Sequence, residues 1–429
     1  MHIPVTPAGA ARMAHTGSPL AGDRDVAPEP VLIERGENAV LCTAGGTRLI
    51  DFSANGGAGV TGHRHPVVIS AMRAQLDRLV HVGAPFASTA QATSLADRLE
   101  MLAPIAAPCS TAWATTGAEA VELAVTMARL ATGRRAVLAF AGAWHGETGM
   151  ARALSGVRTD TSSGGDAAAR IQFLPFPHAA TGAGLDDMRR SLQLLFRTRL
   201  APQEVAAVVI ECVQGEAGVL TASATLLHDV RALCDRHGIV LIVDESRTAL
   251  ARTGKLFALE HFDIEADLIV LADGLSDGLP LAAVIGRQPL VQTVQRQGVQ
   301  RTMWGHAVAA AAAHAVLDVI HDDMLCSRAA DLGRAWMNRM QDARRTQTAI
   351  ADLRGLGAMR AVEFRRPSGE PDELQARVVA DAAIAAGVLV SLGGSDANVI
   401  RFQFPLTLSN DDLGDGIDRF VAAMNGAQA

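Results

Sequence analysis

Short aliphatic runs that alternate with helical stretches constrain the fold of this chain more than any other feature. The helical stretches include Ala118–Leu130 and Ala222–His237, and Gly238 stands where glycine commonly ends a helix. Buried strands that alternate with helices are typical of α/β proteins with a mainly parallel sheet, so the pattern predicts an α/β fold. The predicted strands are Val137–Phe140, Val205–Glu211, Ile239–Glu245, Leu268–Ala272 and Ala282–Gly286.

The chain is long enough for more than one domain. Its 429 residues exceed the usual size of a single hydrophobic core. The alternating pattern covers residues 55–320, whereas residues 321–429 contain short strand-like runs among helices, as in an α+β unit. We predict a large domain at 55–320 with the central sheet, and a smaller domain in which segment 1–54 joins residues 321–429. The runs of the tail are Val362–Phe364, Val388–Val390 and Val399–Phe404.

Charge and cysteine content argue against several classes of protein. The net charge is −7 and no basic block is present, so we expect neither a nucleic-acid nor a membrane partner. Five widely spaced cysteines without a C-x-x-C pair indicate reduced thiols in the cytoplasm, not disulfides or a zinc site. No signal peptide pattern occurs before residue 30. His63 and His65 lack a third ligand nearby, so we predict no metal site.

The segment Thr115–Glu122 places hydroxyl and small residues where a helix begins. Free backbone N–H groups and the helix dipole make such a position an anion site. A capping box gives the same residue pattern for purely structural reasons. Both interpretations stay open for this segment taken alone.

The neighbouring motifs make the pattern specific. They are Thr61–Pro66, Ala143–Thr148, Ile210–Gly218, Val243–Glu245, Arg252–Ala258, Gly278–Pro280 and Asn398–Phe402. In this order they resemble the class III pyridoxal-phosphate aminotransferases, most closely the 4-aminobutyrate type. The resemblance implies the fold-type I architecture of these transferases, a small-molecule substrate and a homodimer with its site between the subunits.

The resemblance also implies five cofactor-binding positions. Gly117 and Ala118 would hold the cofactor phosphate through backbone N–H groups, and Thr302 would reach it from the partner subunit. Trp144 stands where an aromatic ring stacks on the pyridine. Asp244 stands where a carboxylate keeps the pyridine nitrogen protonated, which makes the ring an electron sink.

Two further positions match substrate contacts of the family. Arg401 would bind a substrate carboxylate in a planar two-point contact. Glu216 occupies the position that pairs with this arginine when the substrate offers no carboxylate there. His145 follows the stacking residue, and both a role in the pocket and a packing role are open for it.

The lysine that carries the cofactor in this family is missing from its place. The chain contains one lysine, Lys255, which matches a structural residue outside the cofactor site. After the Leu268–Ala272 run the family reads Ala-Lys, whereas this chain reads Ala272-Asp273. An aspartate cannot form an imine, so a bound pyridoxal or pyridoxamine phosphate would not be held as an internal aldimine.

Other positions of the same pocket also depart from the family. An apolar residue that packs on the ring becomes Ser246, an amide beside the ring hydroxyl becomes Arg247, and a glycine of the lysine loop becomes Asp277. The family's Gly-Asn-Pro is Gly305-His306-Ala307. These changes favour natural divergence over an engineered loss of the lysine. A buried carboxylate needs a cationic partner, so we predict that Asp273 and Arg247 face each other.

The sequence predicts negligible transamination and leaves three functions open. The first is a repurposed enzyme that dehydrates, cyclises or isomerises a small carboxylate-bearing, amino- or keto-acid-like metabolite. Its catalytic residues would be Asp273, Arg247 and His145, and retention of pyridoxal phosphate stays open. The second is a non-catalytic protein that binds a ligand or a partner. The third is an aminotransferase whose lysine has been mutated.

Overall fold

The computed structural model describes residues 31–83, 87–157, 170–298 and 302–427. The helices of these ranges are α1 Pro66–Leu76, α2 Ala90–Leu102, α3 Gly117–Thr132, α4 Gly149–Leu154, α5 Leu185–Thr198, α6 Ala224–His237, α7 Gln288–Arg296, α8 Ala307–Asp322, α9 Leu325–Arg344, α10 Glu373–Ala385 and α11 Asn410–Gly426. Within these ranges no helix is long and apolar enough to cross a membrane.

The strands form one seven-stranded sheet, two four-stranded sheets and one two-stranded sheet. They are β1 Ile33–Glu37, β2 Val40–Thr43, β3 Arg48–Asp51, β4 Cys109–Ala114, β5 Ala136–Phe140, β6 Ile171–Leu174, β7 Val205–Ile210, β8 Val213–Gln214, β9 Leu220–Thr221, β10 Val240–Asp244, β11 Leu268–Leu271, β12 Ala282–Arg287, β13 Ile350–Leu356, β14 Met359–Phe364, β15 Val388–Leu389, β16 Ser391–Gly393 and β17 Val399–Gln403.

The central sheet has seven strands in the order β4-β12-β11-β10-β7-β5-β6. All neighbours are parallel except at β12, which runs against both β11 and β4. β7, β10 and β11 are buried along their whole length, as their largely apolar sequences predict, and Asp244 at the end of β10 is the one polar residue of the three strands. The predicted mainly parallel α/β sheet is thereby confirmed.

Glycine ends two of the helices that cover this sheet. Gly133 follows α3 with φ of +69° and Gly238 follows α6 with φ of +60°. This left-handed backbone costs little at glycine, which has no Cβ. The helix end predicted at Gly238 is confirmed, although α6 begins at Ala224 and not at Ala222.

Residues from both ends of the chain share one sheet. β1, β2 and β3 continue into β15, and β15 pairs with β3 in parallel through Val388 opposite Ile50 and Leu389 opposite Asp51. A further antiparallel sheet, β13-β14-β17-β16, belongs wholly to the C-terminal part. The domain boundaries after residues 54 and 320 stay a prediction, and residues 1–30 of the first segment lie outside the described ranges.

Aromatic packing fixes strand β17. The Phe402 ring centroid lies 5.1 Å from that of Trp336 and 5.0 Å from that of Phe420. All three side chains are almost completely buried. Because successive side chains of a strand point to opposite faces, Phe402 anchored in this core turns Arg401 towards the other face of the sheet.

Candidate functional site

Three carboxylates meet at one edge of the central sheet. Asp244 ends β10, Glu211 directly follows β7, and Asp273 lies two residues after β11. These strands are parallel neighbours, so their carboxyl ends share an edge, which is where ligand sites of such sheets lie. The sheet topology thus collects residues that are far apart in the sequence.

His145 and Asp244 form a buried ion pair. His145 Nδ1 lies 2.7 Å from Asp244 Oδ2. Ser246 donates to Asp244 Oδ1 from its backbone N–H at 3.0 Å and from its hydroxyl at 2.5 Å. Burial opposes both charges, but the contact outweighs it, so the pKa of His145 is raised and the pKa of Asp244 is lowered. Asp244 is therefore ionised at neutral pH.

Glu211 lies beside this pair, and no sequence-based prediction assigned it a role. The backbone N–H of Trp144 donates to Glu211 Oε2 at 3.1 Å. Burial raises the pKa of Glu211 to about 7, with His145 opposing the shift and Asp244 adding to it. A carboxylate directly after a wholly apolar strand was the signal by which the sequence could have indicated it.

The N-terminus of α3 lies next to these groups. Thr116 caps the helix, because its hydroxyl oxygen accepts the Glu119 N–H at 3.2 Å. A Cβ on Gly117 would lie 3.2 Å from Ala272 Cβ and 3.3 Å from Ser246 Oγ. The N–H groups of Gly117 and Ala118 belong to the first turn, where a helix offers no internal acceptor. The segment is thus both a capped helix start and a place for an anion.

Four charged side chains form a continuous series of ion pairs, which we call the ion chain. Arg401 Nη1 lies 2.9 Å from Glu216 Oε1, and Arg247 Nη1 donates to the same oxygen. Arg247 Nε lies 3.5 Å from Asp273 Oδ2. The predicted pairing of Asp273 with Arg247 is confirmed, and Glu216 does pair with Arg401.

Glu216 is held tightly between the two guanidinium groups. Burial opposes its ionisation, but Arg401 and Arg247 outweigh burial and lower the pKa of Glu216 to about 2. Its Oε2 atom is buried without a hydrogen-bond partner among the described residues. Arg401 is fixed from the other side, because its Nε and Nη2 donate to the Leu392 carbonyl at 3.2 and 2.9 Å.

Asp273 is the most accessible member of the ion chain. Its side chain is 36% exposed, compared with 8% for Arg401 and Glu216. Its backbone has φ of +22°, an uncommon conformation for a residue with a Cβ. Burial raises the pKa of Asp273, with Arg247 opposing the shift and Asp244 adding to it.

Other candidate residues lie apart from this cluster. Lys255 is exposed, and its charge acts on Glu260, His261 and Cys326. The Thr302 carbonyl lies 2.7 Å from His81 Nε2 within the same chain, and Thr302 is exposed.

His63 does not form part of a metal centre in the described part of the chain. His63 Nε2 lies 2.8 Å from Asp51 Oδ2. Among the described residues no group of three or more histidine, cysteine, aspartate or glutamate side chains is arranged to hold a metal ion.

Comparison with known proteins shows the family of this chain. The model of the family described as aminotransferase class-III matches residues 21–424. The chain belongs to the class III aminotransferase family. It is 35% identical to a 2-aminoadipate transaminase of Pseudomonas putida over 394 residues, which cover 91% of this chain and 94% of the relative. It is 36% identical to the 4-aminobutyrate aminotransferase GabT of Escherichia coli over 395 residues, 91% of this chain and 92% of the relative.

Solved structures of transaminases confirm the fold. An amine transaminase from an uncultivated Pseudomonas species, in its pyridoxal-phosphate-bound internal aldimine form, superposes with a TM-score of 0.86 at 28% identity. The match covers 97% of this chain and 99% of the transaminase. An S-selective transaminase from Bacillus megaterium gives a TM-score of 0.86 at 25% identity. The predicted fold-type I architecture is therefore correct.

The residues of the site fit pyridoxal phosphate. The ionised Asp244 suits a protonated pyridine nitrogen, and the first-turn N–H groups of Gly117 and Ala118 suit a phosphate. Bound there, the cofactor would supply an electron sink for negative charge on a substrate carbon. The charged side chains nearest to Asp273 offer guanidinium and carboxylate groups, none of which forms an imine.

Gly146→Ala should weaken the binding of pyridoxal phosphate by about tenfold. Gly146 has φ of +119°, and a Cβ there would lie 2.4 Å from Ala118 Cβ. The substitution therefore displaces the first turn of α3 and its phosphate donors. A fluorescence titration with pyridoxal phosphate measures the effect. Gly149→Ala is the matched control, because a Cβ on Gly149 meets nothing within 4 Å; equal affinities of the two variants would contradict the assignment.

Proposed function

We propose that this protein is a class III aminotransferase homologue that no longer transaminates and instead performs acid–base chemistry on a small carboxylate-bearing, amino- or keto-acid-like metabolite. One observation carries the proposal. Asp273 stands where the family resemblance puts the cofactor-binding lysine, and the chain's one lysine, Lys255, is exposed elsewhere. Transamination needs an amine that releases the product and moves protons on the substrate.

The ion chain supports a role for each of its members. Arg401 binds the substrate carboxylate after Glu216 has moved away from it. When no carboxylate is bound, Glu216 pairs with Arg401 again. Arg247 orients Asp273, whose accessible carboxylate takes a proton from the substrate and returns it. Dehydration, cyclisation and isomerisation all fit such a single acid–base group.

His145 is a positioning residue in this proposal. Its contact with Asp244 keeps that carboxylate ionised, which favours retention of pyridoxal or pyridoxamine phosphate in non-covalent form. Glu211 and Trp144 hold the loop that carries His145.

The proposal includes a cytoplasmic homodimer without nucleic-acid or membrane partners. The exposed Thr302 and the neighbouring Met303, which is 49% exposed, support an interface in this region. In such a dimer Thr302 of the partner subunit would contact the cofactor phosphate. The net charge of −7 argues against polyanionic partners.

Assays with amino donors and 2-oxoglutarate should give no amino transfer at enzyme-like rates. The same protein in deuterated water should exchange protons next to the carbonyl or amine of its substrate, because proton transfer does not require a lysine. Nuclear magnetic resonance of a panel of small amino and keto acids reports both reactions. Amino transfer by the unmodified protein would overturn the proposal.

Two variants separate the remaining alternatives. A non-catalytic binding protein predicts that Asp273→Ala alters stability alone and no rate. An aminotransferase with a mutated lysine predicts that Asp273→Lys restores amino transfer without a second change. We expect the single substitution to fail, because it removes the partner of Arg247 and places two cations at ion-pair distance.

A further inference from the structure

The ion chain presents different charges at its two ends. Arg401 is its guarded cationic end, with 8% of the side chain exposed and Glu216 in contact. Asp273 is its open anionic end, with 36% exposed. The end of the ion chain that is more open to solvent is therefore a carboxylate.

The charge of Asp273 is incompletely compensated. Its contact with Arg247 Nε is 3.5 Å long, whereas charge-assisted hydrogen bonds between guanidinium and carboxylate measure about 2.7–2.9 Å. Arg247 is committed to Glu216 through Nη1. The negative charge of Asp244 also acts on Asp273, and Glu216 shares Arg247 with it. A second cation beside Asp273 would be favourable.

We propose that Asp273 is a specificity-determining residue that holds a protonated amine of the ligand in an ion pair. The ligand then binds as a zwitterion, with its ammonium group on Asp273 and its carboxylate on Arg401. This inference rests on the proposed function through the role of Arg401. In this arrangement an electrostatic contact takes the place of a covalent bond to the amine. The carboxylate of Asp273 then lies beside the carbon that carries the nitrogen.

The contacts of the ion chain limit the distance between its two charged ends. Its four side chains follow one another at hydrogen-bond or ion-pair distance, so the Arg401 and Asp273 charges are at most on the order of 11 Å apart. A small amino acid with a hydrogen bond at each end spans such a distance. A keto acid of equal length would leave Asp273 without a cation.

Calorimetric titration with matched pairs of ligands tests the inference. The pairs are β-alanine with propionate and 4-aminobutyrate with butyrate, added to the full chain without added cofactor. We expect each amino acid to bind about 10- to 100-fold more tightly than its partner. Asp273→Asn should bring the two affinities of a pair to near equality. Asp186→Asn is the matched control, because the Asp186 side chain is 77% exposed and pairs with Arg189, and it should keep the preference.

The outcomes distinguish the inference from the proposed function. Equal binding of both members of a pair by the unmodified chain, or a preference that survives Asp273→Asn, would overturn the inference alone. Arg401→Gln should weaken all four ligands. Carboxylates that bind with undiminished affinity to this variant, or that fail to bind the unmodified chain, would overturn the proposed function and with it the inference.

Discussion

Asp273→Asn should lower the rate of substrate proton exchange by about 10²–10⁴-fold, the usual contribution of a general acid–base group. Asparagine keeps the size of the side chain and removes its ability to accept a proton. The exposed carboxylate and the fixed Arg247 contact are the features that assign this role to Asp273. Deuterium incorporation into the substrate, followed by nuclear magnetic resonance, measures the rate for both proteins.

The control for this experiment is a substitution of the one lysine of the chain. Lys255→Arg should exchange protons at the rate of the unmodified protein, because Lys255 is exposed and interacts with Glu260, not with Asp273. A rate that collapses in Lys255→Arg and persists in Asp273→Asn would assign the chemistry to the amine and contradict the proposed mechanism.

Glu211→Gln should stabilise the protein at about pH 8 by about 3 kcal/mol. The pKa of Glu211 is about 7 in the folded protein, compared with 4.5 for an ordinary glutamate. The unfolded chain therefore loses this proton at lower pH than the folded chain does. Ionisation of Glu211 lowers the stability progressively as the pH rises from 4.5 to 7, and glutamine removes that effect while keeping an acceptor for the Trp144 N–H.

Urea unfolding of both proteins at about pH 4 and pH 8 tests this expectation. The stabilisation should vanish at the lower pH, where Glu211 is protonated in both states. Glu370→Gln serves as the control, since its side chain is 70% exposed and the substitution should change stability little at either pH. A destabilised Glu211→Gln protein at pH 8 would show that the ionised carboxylate is needed by His145.

The central strands were predictable because burial on both faces makes their sequences uniformly apolar. The strands at the edges of the sheet were not predictable from the sequence. β6 is an edge strand with partly exposed residues, and β4 carries Ser110 and Thr111, so neither gives a clear apolar run. β12 was predicted as a strand, but its antiparallel direction depends on the connection and not on its composition.

The contacts of the candidate site were likewise predictable only in part. The contact of Asp273 with Arg247 followed from the expectation that a carboxylate withdrawn from water pairs with a cation, although the structure leaves the Asp273 side chain 36% exposed. That Arg247 and Arg401 share one oxygen of Glu216 did not follow, because no local pattern relates a loop after β10 to strand β17. The role of Thr302 and the domain boundaries stay predictions.

Arg401 belongs to the four-stranded C-terminal sheet, while Glu216, Arg247 and Asp273 are carried by loops of the seven-stranded sheet and its β8–β9 hairpin. The ion chain therefore also joins the C-terminal sheet to the seven-stranded sheet through ion pairs. A ligand whose carboxylate displaces Glu216 from Arg401 breaks one of these ion pairs. The bound ligand then connects the two sheets in its place. Occupancy of the site would then determine how rigidly the two sheets are joined. Ligand binding would therefore change the flexibility of the protein away from the site.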